Sequence, residues 1–331
     1  MTTPCSSKLI IPIISGSLLL LANSTAKAAD AYLSYYYEGN ASTDGLNNHI
    51  ESSAPGNYVT IYSTATQHIA DSVSNTHVDD IGPTSSTQVA QAAINGSFDY
   101  NHLSGYASSS ASKSVGHYTW IDNNPNSIFY GTNQGDNTHS SAAANSYIQE
   151  YIVDPLTVTS TELQSGTVVE LAVDWSLDAS FGVTGYPANF NPYGGSPGTP
   201  SAQLTIGSDT HTLDYWNNGT NASLSGSYTL HTSVGDMTGL YAVLTIAGGQ
   251  MNAYQEMFNF ETQTTEFTGQ NVSSFADATA KFAIRVLTPG ASYSAASGNV
   301  YATSLAAVPV PSAAWLFASG LLGLFGLKRR R

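Results

Sequence analysis

The chain has 331 residues, of which 41% are hydrophobic and only 10% charged. That length holds one large sandwich or two small domains once its ends are set aside, and the composition is not that of a highly charged disordered chain. All 23 acids lie between residues 29 and 307, opposed there only by Lys113, Lys281 and Arg285; a body so poor in cations has no electrostatic footprint for a phosphate backbone, which excludes nucleic acid as a partner and argues against docking on anionic lipid.

Residues 1–28 place Lys8 ahead of an apolar run from Leu9 to Leu21 and end on the small pair Ala26 and Ala28. This is the layout of a secretory signal peptide, read by the Sec translocon and removed by signal peptidase, with cleavage expected after Ala28. Cys5, the only cysteine, leaves with it. The exported body therefore has no disulfide, thiol nucleophile or cysteine metal site.

Residues 29–307 read as an exported, acidic, β-rich domain. AYLSYYYEGNAS, from Ala31, has the texture of a first strand and its turn, and the 20 Tyr and 11 Phe supply aromatic packing. So many tyrosines also suit a surface that touches carbohydrate. Thr64 to Asn75 and Ser86 to Ile94 read as short helices, or equally as strands whose alternation is blurred by small residues. The clearest strand is Val168 to Asp178, where Val169, Leu171, Val173, Trp175 and Leu177 take one side and Glu170, Ala172, Asp174, Ser176 and Asp178 the other.

Shorter units repeat that pattern: Leu204 and Ile206; Leu224, Tyr228, Leu230 and Val234; Leu240, Ala242, Leu244 and Ile246; Met257 to Phe260; and Phe282, Ile284 and Val286. Gly-rich turns separate them. Many strands without repeated crossover helices predict an all-β fold, a β-sandwich or jelly-roll-like domain. Gly182 to Pro200 is too rich in Gly and Pro for a regular strand and reads as a protruding loop, whose Tyr186, Phe190 and Tyr193 could form a rim for sugars or another protein.

Chemical motifs are sparse. Asp122, Asn124 and Asn126 begin like a calcium loop, but Ser127 stands where Gly is needed and Asn133 where the bidentate Glu belongs, so Asx turns around Pro125 account for them. His77, Asp79 and Asp80 cluster near His68 and, farther off, His49, without a ligand motif. Glu170, Asp174 and Asp178 share a strand face, where solvated side chains are the default and a glycosidase pair would need the fold to bring two carboxylates across a cleft. No G-x-S-x-G elbow occurs. No catalytic residue, cofactor site or metal ligand is assigned.

Residues 308–331 form an uncharged, apolar run closed by Lys328, Arg329, Arg330 and Arg331. It is long enough to cross a bilayer as a helix, with its cations left at the cytoplasmic headgroups. Val308, Pro309, Pro311, Ala314, Trp315, Leu316, Phe317, Ser319, Gly320, Leu321, Leu322, Gly323 and Leu324 followed by that basic end resemble the Val-Pro-x-Pro variant of the PEP-CTERM sorting signal. Val310 stands where the general family has Glu, and Ser312 replaces an Ala. The resemblance implies a transmembrane sorting helix in a Gram-negative bacterium, processing near the Pro-x-Pro element by an exosortase, brief residence in the inner membrane, and delivery to the cell surface or extracellular matrix. Residues 89 to 250 also resemble, in texture, a loosely defined set of exported proteins with such tails.

The function expected from these readings is that of a non-catalytic exported surface or matrix protein associated with exopolysaccharide. A carbohydrate-binding module or a carbohydrate-active enzyme is the alternative.

Overall fold

A computed structural model describes residues 30–44, 49–54, 58–81, 84–114, 117–121, 133–137, 141–185, 198–254, 256–259, 264–267 and 270–305. Two large antiparallel sheets organise them. The first is ordered β12 (Asp209–Asp214), β11 (Ser201–Ile206), β14 (Met237–Tyr254), β9 (Ser141–Ser160), β1 (Tyr32–Asp44) and β2 (His49–Ala54); β18 (Ala291–Ala295) pairs with the far end of β9, and β3 (Val59–Ile61) with β1.

The second sheet is ordered β13 (Asn221–Ser233), β10 (Val168–Thr184), β17 (Gln270–Val286), β6 (His102–Lys113), β5 (Thr84–Phe98) and β4 (Gln67–Ile81). Two separate hairpins, β7 (His117–Ile121) with β8 (Asn133–Asn137) and β15 (Glu256–Asn259) with β16 (Thr264–Phe267), and the single-turn α1 (Tyr215–Asn218) complete the described elements. The all-β expectation holds.

Period-2 alternation explains why the sheets meet. Even-numbered residues of β9 and odd-numbered residues of β10 turn inward, so Ile148, Ile152 and Leu156 share one buried cluster with Leu171, Val173 and Leu177. Each large aliphatic side chain taken fully out of water contributes about 1.5–3 kcal/mol. In β10 the sequence pattern is reproduced residue by residue, except that Ala172 and Ser176 are buried on the opposite side.

A second cluster is built of small residues: Ala41, Ala90, Ala111, Ala142, Ala144 and Ala253, with Met251 and Val272. Here the sheets come close enough for main chain to meet main chain. A Cβ on Gly248 of β14 would lie 2.7 Å from the carbonyl oxygen of Ala107 on β6. A shift in the β9 pairing between Ala247 and Gly249 re-aims β14 at that point, and Gly249 adopts φ +84, a conformation that favours glycine.

The two segments open to a helical reading, 64–75 and 86–94, are not helical. Gln67 to Ile81 and Thr84 to Phe98 form one long hairpin pair, β4 with β5. Small side chains at inward positions such as Ala90 and Ala92 suit the close sheet approach and mask the strand periodicity. Nor does AYLSYYYEGNAS close on a turn; β1 runs through it to Asp44. The expected signal peptide, residues 1–28, and the expected sorting helix, residues 308–331, lie outside the described residues. Among those described, no helix is long and apolar enough to cross a membrane.

Candidate functional site

The residues of β1 and β9 that turn away from the core bring tyrosines together. Tyr32 and Tyr36 project outward from β1, Tyr147 and Tyr151 from β9, and Tyr241 from β14, because each pair on a strand is separated by an even number of residues. Tyr58 and Tyr62 flank β3 on the same side. Ring centroids lie 4.9 Å apart for Tyr36 and Tyr58, 6.0 Å for Tyr36 and Tyr147, 6.0 Å for Tyr58 and Tyr151, and 6.3 Å for Tyr32 and Tyr62. Tyr58 is 54% exposed and Tyr62 70%.

Polar groups are interleaved among these rings. Tyr36 donates its hydroxyl hydrogen to Glu38 (3.0 Å), and Asn40 Nδ2 donates to the other oxygen of Glu38 (2.8 Å). Gln149 Nε2 donates to Thr245 Oγ1 (3.0 Å), while the Tyr151 hydroxyl donates to Gln149 Oε1. Gln203 and Thr205 of β11 continue the polar surface and contact Thr212 and Thr210 of β12. Burial, reinforced by Glu38, pushes the Tyr36 phenol up to about 12, and burial likewise raises Tyr147, Tyr151 and Tyr241. These hydroxyls stay protonated at physiological pH; those of Tyr36 and Tyr151, whose hydrogens are engaged by Glu38 and Gln149, keep lone pairs with which to accept.

The outer side of the second sheet is acidic. Asp174 receives two hydrogen bonds from Arg285, at 2.5 and 2.9 Å, which hold its carboxyl below the usual range. Asp178 accepts from Ser223 Oγ (2.6 Å), and Glu170 lies 3.4 Å from His231. The three acids of β10 therefore share a face as their spacing predicts, each answered by a neighbouring strand. A shallow open groove of about 420 Å³ brings Asp178 beside Asp277, whose carboxyl is raised by burial. Tyr106 stacks on Phe275 at 5.9 Å, next to Asp277 in the sheet.

Two acids turn inward instead. Glu150 of β9 is fully buried, and neither carboxyl oxygen has a hydrogen-bond partner. Its side chain occupies the space left by Gly96, where a Cβ would lie 2.4 Å from Oε1. Burial drives its pKa well above the usual carboxylate range, and the nearby main-chain amide of Ser104 is the smaller, opposing influence. Asp154, also fully buried, accepts from Ser297 N (3.1 Å), Ser297 Oγ (2.6 Å) and the Tyr301 hydroxyl (2.7 Å).

Most other sequence candidates fall outside the description. Asp122, Asn124, Asn126 and Ser127 lie outside the described residues, as do Tyr186, Phe190 and Tyr193, and so does the side chain of Asn133. The backbone of His77, Asp79 and Asp80 pairs with Gln88, Ser86 and Ser85, and that of His49 with Asp44, but their side chains lie outside the description. His68 is exposed on β4 opposite Ser97. No group of three or more potential metal ligands occurs among the described residues.

Sequence reasoning noticed the abundance of tyrosine but did not single out the residues of this cluster; the rim it named, Tyr186, Phe190 and Tyr193, lies outside the described residues. The signal was present: Tyr32 and Tyr36, like Tyr147 and Tyr151, are four apart, which puts both members on one side of an extended strand. What sequence alone lacked was the register that sets Tyr36 opposite Gln149. No protein-family model matches the chain, and no curated protein matches its sequence.

Proposed function

We propose that this is an exported, non-catalytic matrix or cell-surface protein that holds exopolysaccharide on the tyrosine-rich outer side of its first sheet. In this reading the two sheets form a β-sandwich of jelly-roll-like kind, residues 1–28 direct export through the Sec translocon, and an exosortase processes the 308–331 tail. The observation that carries it is the tyrosine cluster. Sugar rings present polarised C–H groups that pack on the electron-rich faces of aromatic rings, while neighbouring amides and hydroxyls satisfy the sugar hydroxyls.

The charge distribution supports the same side for the glycan. Glu38 is the only charged residue among the described outward side chains of β1, β3, β9, β11 and β14. A neutral or weakly acidic polymer meets little repulsion there, whereas the acids of the second sheet disfavour an anionic one.

Affinity electrophoresis of the full chain, produced in an export-competent Gram-negative host, through gels containing defined polysaccharides tests this. Retardation by at least one polymer is expected, and the double substitution Tyr36→Ala, Tyr58→Ala should weaken it by about tenfold or more, equivalent to about 1.4 kcal/mol. Unchanged retardation in that variant would remove the tyrosines from the function. The groove beside Asp178 and Asp277 favours a second reading as a carbohydrate-active enzyme. Release of reducing ends that disappears in Asp277→Asn would select it.

A further inference from the structure

Besides the short β3 and β18, which pair only with β1 and β9, four strands end the two large sheets, and three of these carry features that discourage pairing with another chain. β12 has six residues with an acid at each end, Asp209 and Asp214; β4 carries Asp71, Asp79 and Asp80; β2 is short and includes Glu51. β13 differs. It runs 13 residues, NASLSGSYTLHTS, without Pro, Lys, Arg, Asp or Glu, and it pairs with β10 from end to end without a bulge. Among the described residues nothing pairs with its other edge, and residues 223–227 are exposed. A long, flat, neutral edge presents a row of free amides and carbonyls to any extended partner.

The side chains specify the partner. The inward-turning residues of β13 are Leu224, Gly226, Tyr228 and Leu230, opposite Leu177, Trp175, Val173 and Leu171 of β10. Unlike the β10 residues they are incompletely covered: Leu224 is 37% exposed, and Tyr228 and Leu230 are half-buried. If β13 is laid antiparallel against a second β13 about a two-fold axis at Ser227, Leu224 comes opposite Leu230, Gly226 opposite Tyr228, and Ser225 opposite Thr229. Apolar meets apolar, the bulkiest residue meets the smallest, hydroxyls meet hydroxyls, and no like charges are opposed.

We propose that two copies of this chain associate through β13 in that register, joining their second sheets into one continuous sheet. The interface is the same strand used twice, so it closes as a dimer and leaves no free β13 edge. It uses neither the tyrosine side of the first sheet nor any glycan, so it stands or falls separately from the reading above.

Site-directed disulfide formation in the full chain, exported into an oxidising envelope, tests the register directly. Cys5 lies in the expected signal peptide, and replacing it with Ser removes the only native thiol. Ser227→Cys should yield about tenfold more disulfide-linked dimer than Ser223→Cys, since only position 227 faces itself within disulfide reach. Chains carrying Ser225→Cys and Thr229→Cys should cross-link to each other when co-expressed, and neither to itself. Ser227→Lys opposes two ammonium groups and should convert the dimer to monomer in sedimentation of the detergent-extracted protein, with an unchanged circular dichroism spectrum. Equal cross-linking at 223 and 227, or a Ser227→Lys chain that still sediments as a dimer, would overturn the proposal.

Discussion

At the scale of single residues, Glu150 combines complete burial with the absence of any hydrogen-bond partner for its oxygens. An ionised carboxylate there would cost several kcal/mol of lost hydration, so the group keeps its proton in the folded chain. The titratable groups around it give no relief. Tyr35 pairs with it from β1, Asp154 follows on the same face of β9, and Tyr37 is engaged by Asp71, while Gly96, Gly105 and Leu244 contribute no ionisable group. Because the folded pKa stands above the unfolded value of about 4.3, the stabilisation is complete below that value. It is lost by about 1.4 kcal/mol per pH unit as pH rises from that value to the folded pKa, and no more is lost above it. Thermal unfolding followed from about pH 5 to about pH 9 should show a falling midpoint in the native chain and a flatter profile in Glu150→Gln. A Glu150→Gln protein with the native slope would assign the pH dependence elsewhere.

At the scale of elements, the two clusters respond oppositely to substitution. Leu171→Ala on β10 removes a side chain from the large-residue end and should cost about 2–5 kcal/mol in chemical denaturation. Ala111→Leu on β6 forces bulk into the end where Ala41, Ala90 and Ala142 already meet, and should cost about 1–3 kcal/mol by overpacking. If Ala111→Leu were neutral, the sheets would not be as close as Gly248 and Ala107 indicate. The same contrast governs what the amino-acid string discloses. β10, β14 and β17 are legible because large apolar residues alternate with polar ones. β4 and β5 are not, because Ser, Thr and Ala occupy inward and outward positions alike, and only the nearness of the opposite sheet decides which are buried. The tyrosine cluster is half legible: spacing puts Tyr147 and Tyr151 on one side of their strand, but pairing that brings Tyr36 and Tyr58 beside them is a long-range property.

At the scale of the whole molecule, residues 296–302 tie the two sheets together. Ala296 N donates to Pro155 O on β9, and Ile284 N of β17 donates to Ala302 O, both within 2.9 Å, while Asn101 and Asn299 exchange side-chain hydrogen bonds at 3.0 and 3.3 Å. Asp154 secures this strap through Ser297 and Tyr301. Replacing it, as in Asp154→Ala, leaves three buried or half-buried donors without their acceptor, and limited proteolysis should then cut within residues 296–305 several-fold faster than in the native chain. Equal cutting rates would show that the Asn pair and main-chain bonds suffice. The position of Asp154 has a mechanical consequence. β9 is flanked by β14 on one side and by β1 and β18 on the other, so a pull arriving at residue 305 reaches an interior strand, where neighbouring ladders resist in shear and must yield together rather than unzip one bond at a time from a rim.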